Sequence, residues 1–424
     1  MAIKLKIFLI IVITLILATY LYACAQQPSN NEAILPSTST TTSTSSTSTS
    51  LDTTTTTTST TSTTQQLYPG PAVGESGNNA DQVFRSLSIN PSSPETIYLG
   101  SEGNGIFKSI DGGQNWTWSR NGLIYNTEAE TYPEIYDLAI HPTDSDIIYA
   151  ATNNGLGPAT GNYPSAMAGL YESIDGGSTW RQVTITSESN ATEAIKIDTS
   201  NPAIFYASIH GGTLEAGNLD IDGQFFPGGI FKSVNSGESW TKLDLPANSE
   251  INSYTIIRIG DTSSIFTLGT NTISNLGLGL IKSTDSGDTW TTINPEADCT
   301  WTSFDISPLN QELIYIGAAT YLSQNGGDNW SAAGIDASVI RLSSLDENLL
   351  LYAVNRELRK RTTHNNEDGT LVLTADNDIA DIEYHPTNAN IIYFSCNGLL
   401  VYKSVDGGNS FEQVANLREF IDNY

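Results

Sequence analysis

The side chains best suited to recognition or chemistry sit in three stretches where aromatic and acidic residues occur together. Tyr125 and Tyr132 flank Glu128 and Glu130, Tyr163 follows a glycine-rich run, and Glu215, Asp220 and Asp222 precede Phe225 and Phe226. Aromatic faces beside carboxylates suit stacking on a sugar ring or docking a protein segment, and they equally suit loops that pack on themselves. The run Asn218-Leu219-Asp220-Ile221-Asp222-Gly223 opens like a calcium loop, in which alternate oxygens converge on the ion and a glycine permits the turn. Its later ligand positions fall on Phe226 and Gly229, so calcium held by Asn218, Asp220 and Asp222 stands against a plain acidic loop. No serine or cysteine nucleophile motif is present, and the four histidines, His141, His210, His364 and His385, show no metal-ligand spacing. His141 and His385 each precede a proline in equivalent turns, which marks them as parts of a repeat.

That repeat organises the rest of the chain. Ser109-Ile110-Asp111-Gly112-Gly113-Gln114-Asn115-Trp116 recurs as Ser173 to Trp180 around Asp175, and as Ser233 to Trp240 with Asn235. Further copies are Ser283 to Trp290 around Asp285, Ser323 to Trp330 with Asn325, and Ser404 to Phe411 around Asp406. Each lies between a short apolar strand and a second strand opened by the aromatic residue, so it is the turn of a β-hairpin. Asp and Ser can bond turn amides, Gly supplies the backbone conformation, and Trp is expected to fold back on its own sheet as an apolar anchor. Every copy follows two further strands joined by a turn that often contains proline, such as Phe84 to Ile89 and Thr96 to Gly100 around Asn90-Pro91. Four short antiparallel strands per unit, repeated around an axis, predict the blades of a β-propeller.

The Ser/Thr-x-Asp-x-Gly-x-Ser/Thr-Trp pattern resembles the Asp box, or BNR repeat, of sialidases, sortilin-type receptors, xyloglucanases and a photosystem II assembly propeller. Trp330 to Phe411 is about twice the Trp290-to-Trp330 spacing, so one blade has lost its box. Val339 to Leu342 and Leu349 to Val354 read as its first strands, and Glu357 to Leu373 as its last two. The expected fold is therefore all-β, a single seven-bladed propeller of four-stranded antiparallel blades.

In such a blade the box turn lies on one face, while second-to-third loops and inter-blade connections lie on the other. Length excess concentrates in Asn153 to Ala168, His210 to Gly228 and Ser119 to Pro133, which predicts a binding rim over repeats one to three. The resemblance to sialidases implies an arginine triad, yet Arg85 lies three residues out of register with Arg258 and Arg341, on the opposite face of a strand. Arg258, Arg341 and Lys196 are instead expected to pair with Asp305, Asp381 and Glu383 on neighbouring first strands. Resemblance to xyloglucanases implies a cleft between two propellers, and one propeller would need both catalytic carboxylates on a single rim.

Lys4 and Lys6 precede an apolar run, Ile7 to Ala18, too short for a membrane span and typical of a secretory signal. Leu21-Tyr22-Ala23-Cys24 resembles the lipobox of bacterial lipoproteins. The expected organisation is a signal peptide over 1–23, an acylated Cys24, a Ser/Thr-rich disordered tether over 24–66 and the propeller over 67–424. The protein is then extracytoplasmic, touching the membrane only through its lipid. Cys299 and Cys396 fall in different repeats and are expected to stay unpaired. With 18 basic against 46 acidic residues, a formal charge of −28, nucleic acid and anionic lipid are excluded as partners of the head. The expected function is a surface-anchored, non-catalytic binding or assembly module contacting a glycan or a protein; the alternative is a glycoside hydrolase acting on extracellular polysaccharide.

Overall fold

The computed structural model describes residues 84–127, 131–153, 167–186, 191–209, 212–213, 225–226, 228–246, 257–259, 264–270, 277–293, 303–317, 321–364 and 368–422. Seven four-stranded antiparallel sheets follow one another along the chain. Blade 1 consists of Phe84–Ile89, Ile97–Ser101, Gly105–Ser109 and Thr117–Trp118, each strand paired with the next. The blade without a box is Val339–Leu342, Leu350–Val354, Glu357–Arg361 and Thr370–Thr374, sixth in order as its spacing predicts. Blade 7 ends at Glu412–Asn416, and a short helix, Leu417–Asp422, follows.

Second strands are buried on both faces because each blade is sandwiched between two others, which explains near-continuous apolar runs such as Ile97-Tyr98-Leu99 and Ile392-Tyr393-Phe394. The outermost strands are short and largely exposed. The ring closes by side-chain contacts between blades 7 and 1. Tyr393 donates its hydroxyl to the Gly112 carbonyl at 3.1 Å, the Leu87 amide donates to Asp381 at 3.1 Å, and Leu399, Val401, Leu417 and Ile421 pack with Leu87, Phe107 and Trp116.

Box glycines earn their place through backbone geometry. Gly112 and Gly113 have φ of 71° and 91°, in the left-handed region. The position of Gly112 is filled by Ser236 in blade 3 and Ser286 in blade 4, whose φ values are 56° and 61°. Replacing Ser286 by glycine removes a steric conflict of about 1 kcal/mol, so S286G is expected to raise the urea midpoint. A lowered midpoint would show that the serine makes a compensating bond.

Candidate functional site

The box carboxylates are turn acceptors. Asp111 Oδ1 receives the Ser109 hydroxyl at 2.9 Å and the Gln114 and Asn115 amides at 3.0 and 2.8 Å, while Ser109 Oγ accepts the Gly113 amide at 2.9 Å. The bonds from the serine hydroxyl and from the amide four residues on recur around Asp175, Asn235, Asp285, Asn325 and Asp406. Hydrogen bonds from the Asn115 amide and side chain hold the Asp111 carboxyl down to about 2, and those from Thr289 hold Asp285 at about 2. A carboxyl so stabilised as its anion is the reverse of a general acid.

The expectation that the Trp folds back on its own sheet holds for the indole N–H of Trp116, Trp240 and Trp290, each bonded to a glycine of its own box, and fails for Trp180 and Trp330. Trp180 donates its indole N–H to the Ser119 carbonyl of the preceding blade's connection at 3.0 Å, and Trp330 donates to the Ile293 carbonyl at 2.8 Å. Trp116 bonds within its turn, to the Gly113 carbonyl, but packs against Tyr393 of blade 7. Where the indole N–H leaves its own turn, as in Trp180 and Trp330, it ties the box to the preceding blade. Trp240, Trp290 and Phe411 are only partly buried beside neighbouring clusters.

A second inter-blade latch was missed at the sequence level. Lys108, directly before the box serine, donates to the Gly176 carbonyl of the next box at 2.6 Å, and Tyr98 donates to the same oxygen at 2.8 Å. Lys232 reaches the Ser286 carbonyl at 2.9 Å, and Lys360 the Gly407 carbonyl at 2.6 Å. Blade 5 has Leu322 at the lysine position, and the blade after it has no box carbonyl to receive a lysine. Its Tyr315 hydroxyl instead meets His364 Nδ1 at 3.0 Å. Arg361 occupies the place of the lost box serine and donates both Nη atoms to the Ala333 carbonyl at 3.0 and 3.1 Å, doing the work of the absent indole. The recurring lysine was the available sequence signal.

The first turns share another device. Asn90 Oδ1 accepts the Ser92 and Ser93 amides, Asp198 Oδ1 accepts those of Ser200 and Asn201, and His385 Nδ1 accepts those of Thr387 and Asn388 at 3.2 and 3.1 Å. His141 accepts from the Asp144 amide in the same way. Burial lowers the pKa of His385 from its ordinary 6.5. The unfolded chain therefore protonates first as pH falls, and stability is lost as pH drops through 6.5 toward the folded value. His385→Asn, copying Asn90, is expected to flatten the urea midpoint between about pH 7.5 and 5.5. An unchanged slope would exclude His385 as its source.

First strands enclose a central cavity of 520 Å³ lined by Asp137, Glu193, Lys196, Asp305, Arg341, Asp381 and Glu383. Three of its five carboxylates hold backbone amides. Asp137 accepts the Ile195 amide at 3.0 Å, Asp305 the Leu342 amide at 2.8 Å and Asp381 the Leu87 amide, each from the following blade. Arg341 pairs with Asp381 at 2.6 Å as expected, whereas Lys196 pairs with Asp137 at 2.7 Å, a correction. Asp137 lies on the adjoining first strand, while Asp305 is two blades away. Burial opposes the Arg341 charge, but Asp381, Asp305, Glu383 and Asp137 outweigh it and raise its pKa. Arg85 and Arg258 lie on the first strands of blades 1 and 4.

On the opposite rim, Tyr125 and Tyr132 pack ring to ring at 4.9 Å, and the Arg120 guanidinium lies over Tyr132 and Trp118 at 4.6 and 3.6 Å. Tyr132 is 4% exposed, so its ring supports the connection from inside. Within the blade 3 insertion, Phe225–Phe226 pairs antiparallel with Gly212–Thr213. Tyr163, Glu215, Asn218, Asp220 and Asp222 lie outside the described residues, as do Cys24, Glu128, Glu130 and Cys299. Cys396 is a buried free thiol, its pKa pushed up to about 12 by burial. Among the described residues no group of acidic, His and Cys side chains could hold a metal ion.

A closed ring of seven four-stranded antiparallel sheets is a seven-bladed β-propeller. Solved structures similar to this chain include the GH74 enzyme of Niastella koreensis, at 18% identity and TM-score 0.33, matching 77% of this chain and 55% of that one. YCF48 bound to D1 peptide is similar at 17% identity and TM-score 0.46, over 69% of this chain and 86% of that one. Saccharomyces cerevisiae Sqt1 is similar at 12% identity and TM-score 0.49, over 78% and 84%. The chain spans about half the length of the first GH74 enzyme. No protein-family model matches the chain, and no curated protein matches it. At these identities the likeness is one of fold.

Proposed function

We propose that the protein is a non-catalytic binding or assembly module, tethered outside the cytoplasmic membrane through Cys24, that contacts a glycan or a protein with the rim of blades 1 to 3. The observation supporting this reading is the engagement of the channel carboxylates: Asp137, Asp305 and Asp381 each hold a backbone amide of the next blade. They serve as fasteners, which leaves the variable rim as the part free to specialise. The backbone pairing of Gly212–Thr213 with Phe225–Phe226 at the base of the blade 3 insertion fits that role.

Two assays test it. Incubated with a panel of polysaccharides and sialosides, the protein should release no reducing sugar; release lost on Asp220→Ala or Glu215→Ala would establish the hydrolase alternative. Against glycan and peptide arrays, Tyr163→Ala combined with Phe225→Ala should weaken the best ligand by about tenfold or more. Unchanged binding would remove the rim.

A further inference from the structure

The box face carries an unexplained surface of its own. Seven large aliphatic side chains are strongly exposed among the described residues, and six lie on this face. Ile110, Ile174, Val234 and Val405 are 71%, 66%, 65% and 69% exposed, and all four occupy the position between the box serine and its Asp or Asn. They belong to blades 7, 1, 2 and 3, which are consecutive around the closed ring, so they form an arc. The same position holds Thr284 in blade 4 and Gln324 in blade 5. Leu309 and Leu345, on the first turns of blades 5 and 6, are 52% and 40% exposed. They adjoin Pro308 and Ser344, where the central cavity reaches this face. Turn geometry explains the box Ser, Asp and Gly, but it makes no demand for an aliphatic tip in water.

Charge identifies what would cover them. One residue beyond each aliphatic tip stands Asp111, Asp175, Asn235 or Asp406, and the three carboxyls are held below the ordinary range, so they are anionic at any physiological pH. Lys108, Lys232 and Lys403 each have their ammonium engaged by a carbonyl of the neighbouring box. Behind the first turns, the described cavity lining has five carboxylates, Asp137, Glu193, Asp305, Asp381 and Glu383, against Lys196 and Arg341. An anionic lipid surface would be repelled, and a second copy would bring −28 toward −28.

We propose that the box face is a docking surface for a basic polypeptide segment in which lysine or arginine alternates with aliphatic side chains, laid along the arc from Val405 to Val234. Aliphatic groups of the partner cover the turn tips, its cations lie beside the box aspartates, and a cation at the channel mouth faces the acidic lining. This surface is independent of the rim, on the opposite face of the disc.

The test uses the intact protein and three synthetic peptides, lysine–leucine, lysine–serine and glutamate–leucine, each strictly alternating. Wild type is expected to bind lysine–leucine about tenfold or more tightly than lysine–serine, with no binding of glutamate–leucine. The variant Ile110→Ser/Ile174→Ser/Val234→Ser/Val405→Ser should lose that tenfold difference while keeping its thermal midpoint, since all four side chains are exposed. Phe225→Ser should keep it. Equal affinity for both cationic peptides, or a quadruple variant that binds as wild type does, would overturn the proposal. So would capture by anionic vesicles, or self-association that the quadruple variant abolishes, because either would show a different occupant.

Discussion

Asp381→Ala is expected to lower the unfolding free energy by about 3 kcal/mol, read as a fall in the urea midpoint at neutral pH. One carboxylate there does three things: it accepts the Leu87 amide at 3.1 Å and the Ile382 amide at 2.9 Å, and it pairs with Arg341 at 2.6 Å. The first of these joins blade 7 to blade 1, the seam where the ring must close. Truncation leaves the Leu87 amide without its acceptor in a buried setting and removes the partner held closest to Arg341. Asp305 and Glu383 still raise the Arg341 pKa, so the guanidinium is not wholly stranded, which keeps the expected loss below the upper end for buried pairs. Asp381→Asn keeps one acceptor oxygen and should cost about half as much. A loss within about 0.5 kcal/mol of zero, the range of ordinary surface substitutions, would show that the Asp381 carboxylate does not hold the seam.

Trp180→Ala carries the other large effect, about 3 to 5 kcal/mol. This indole is 5% exposed, packs with Tyr98, Ile106, Ile135 and Tyr171, and donates to the Ser119 carbonyl. Its removal opens a cavity between blades 1 and 2 and leaves that carbonyl short of a donor. Trp180→Phe keeps most of the packing and should cost about 1 to 2 kcal/mol for the lost N–H. Trp330, only partly buried, should tolerate alanine better. If Trp330→Ala proved as damaging as Trp180→Ala, burial would not be what grades the staples. Thermal midpoints of the three variants decide the order.

Blade number and strand order were legible because the box is local chemistry. A serine, an aspartate, glycines and an aromatic within eight residues specify one turn wherever they occur, and even the lost box of blade 6 betrayed itself through spacing. Contacts between blades were not legible. Lys196 reaches Asp137 across 59 residues of chain and Arg361 reaches Ala333 across 28, and nothing in either neighbourhood names the partner. The misassigned partner of Lys196 shows the same limit: opposite charges on first strands could be recognised, but adjacency in the ring decides which of them meet. Trp180 was misread for a related reason, since its reach depends on the separation of blades. At the rim, the burial of Tyr132 depends on packing with Tyr125 and Arg120 that its own neighbourhood does not announce, and the two-residue strand Phe225–Phe226 leaves no periodic signature.

The most direct test of a scaffold that fastens with its carboxylates and recognises with its rim is one binding titration, run on the best array ligand with two sets of variants. Asp305→Asn and Asp381→Asn, assayed well below their unfolding midpoints, should bind as wild type does, and Tyr163→Ala with Phe225→Ala should not. Ligand turnover that disappears with Asp305→Asn or Asp381→Asn, while the rim pair leaves affinity intact, would contradict it.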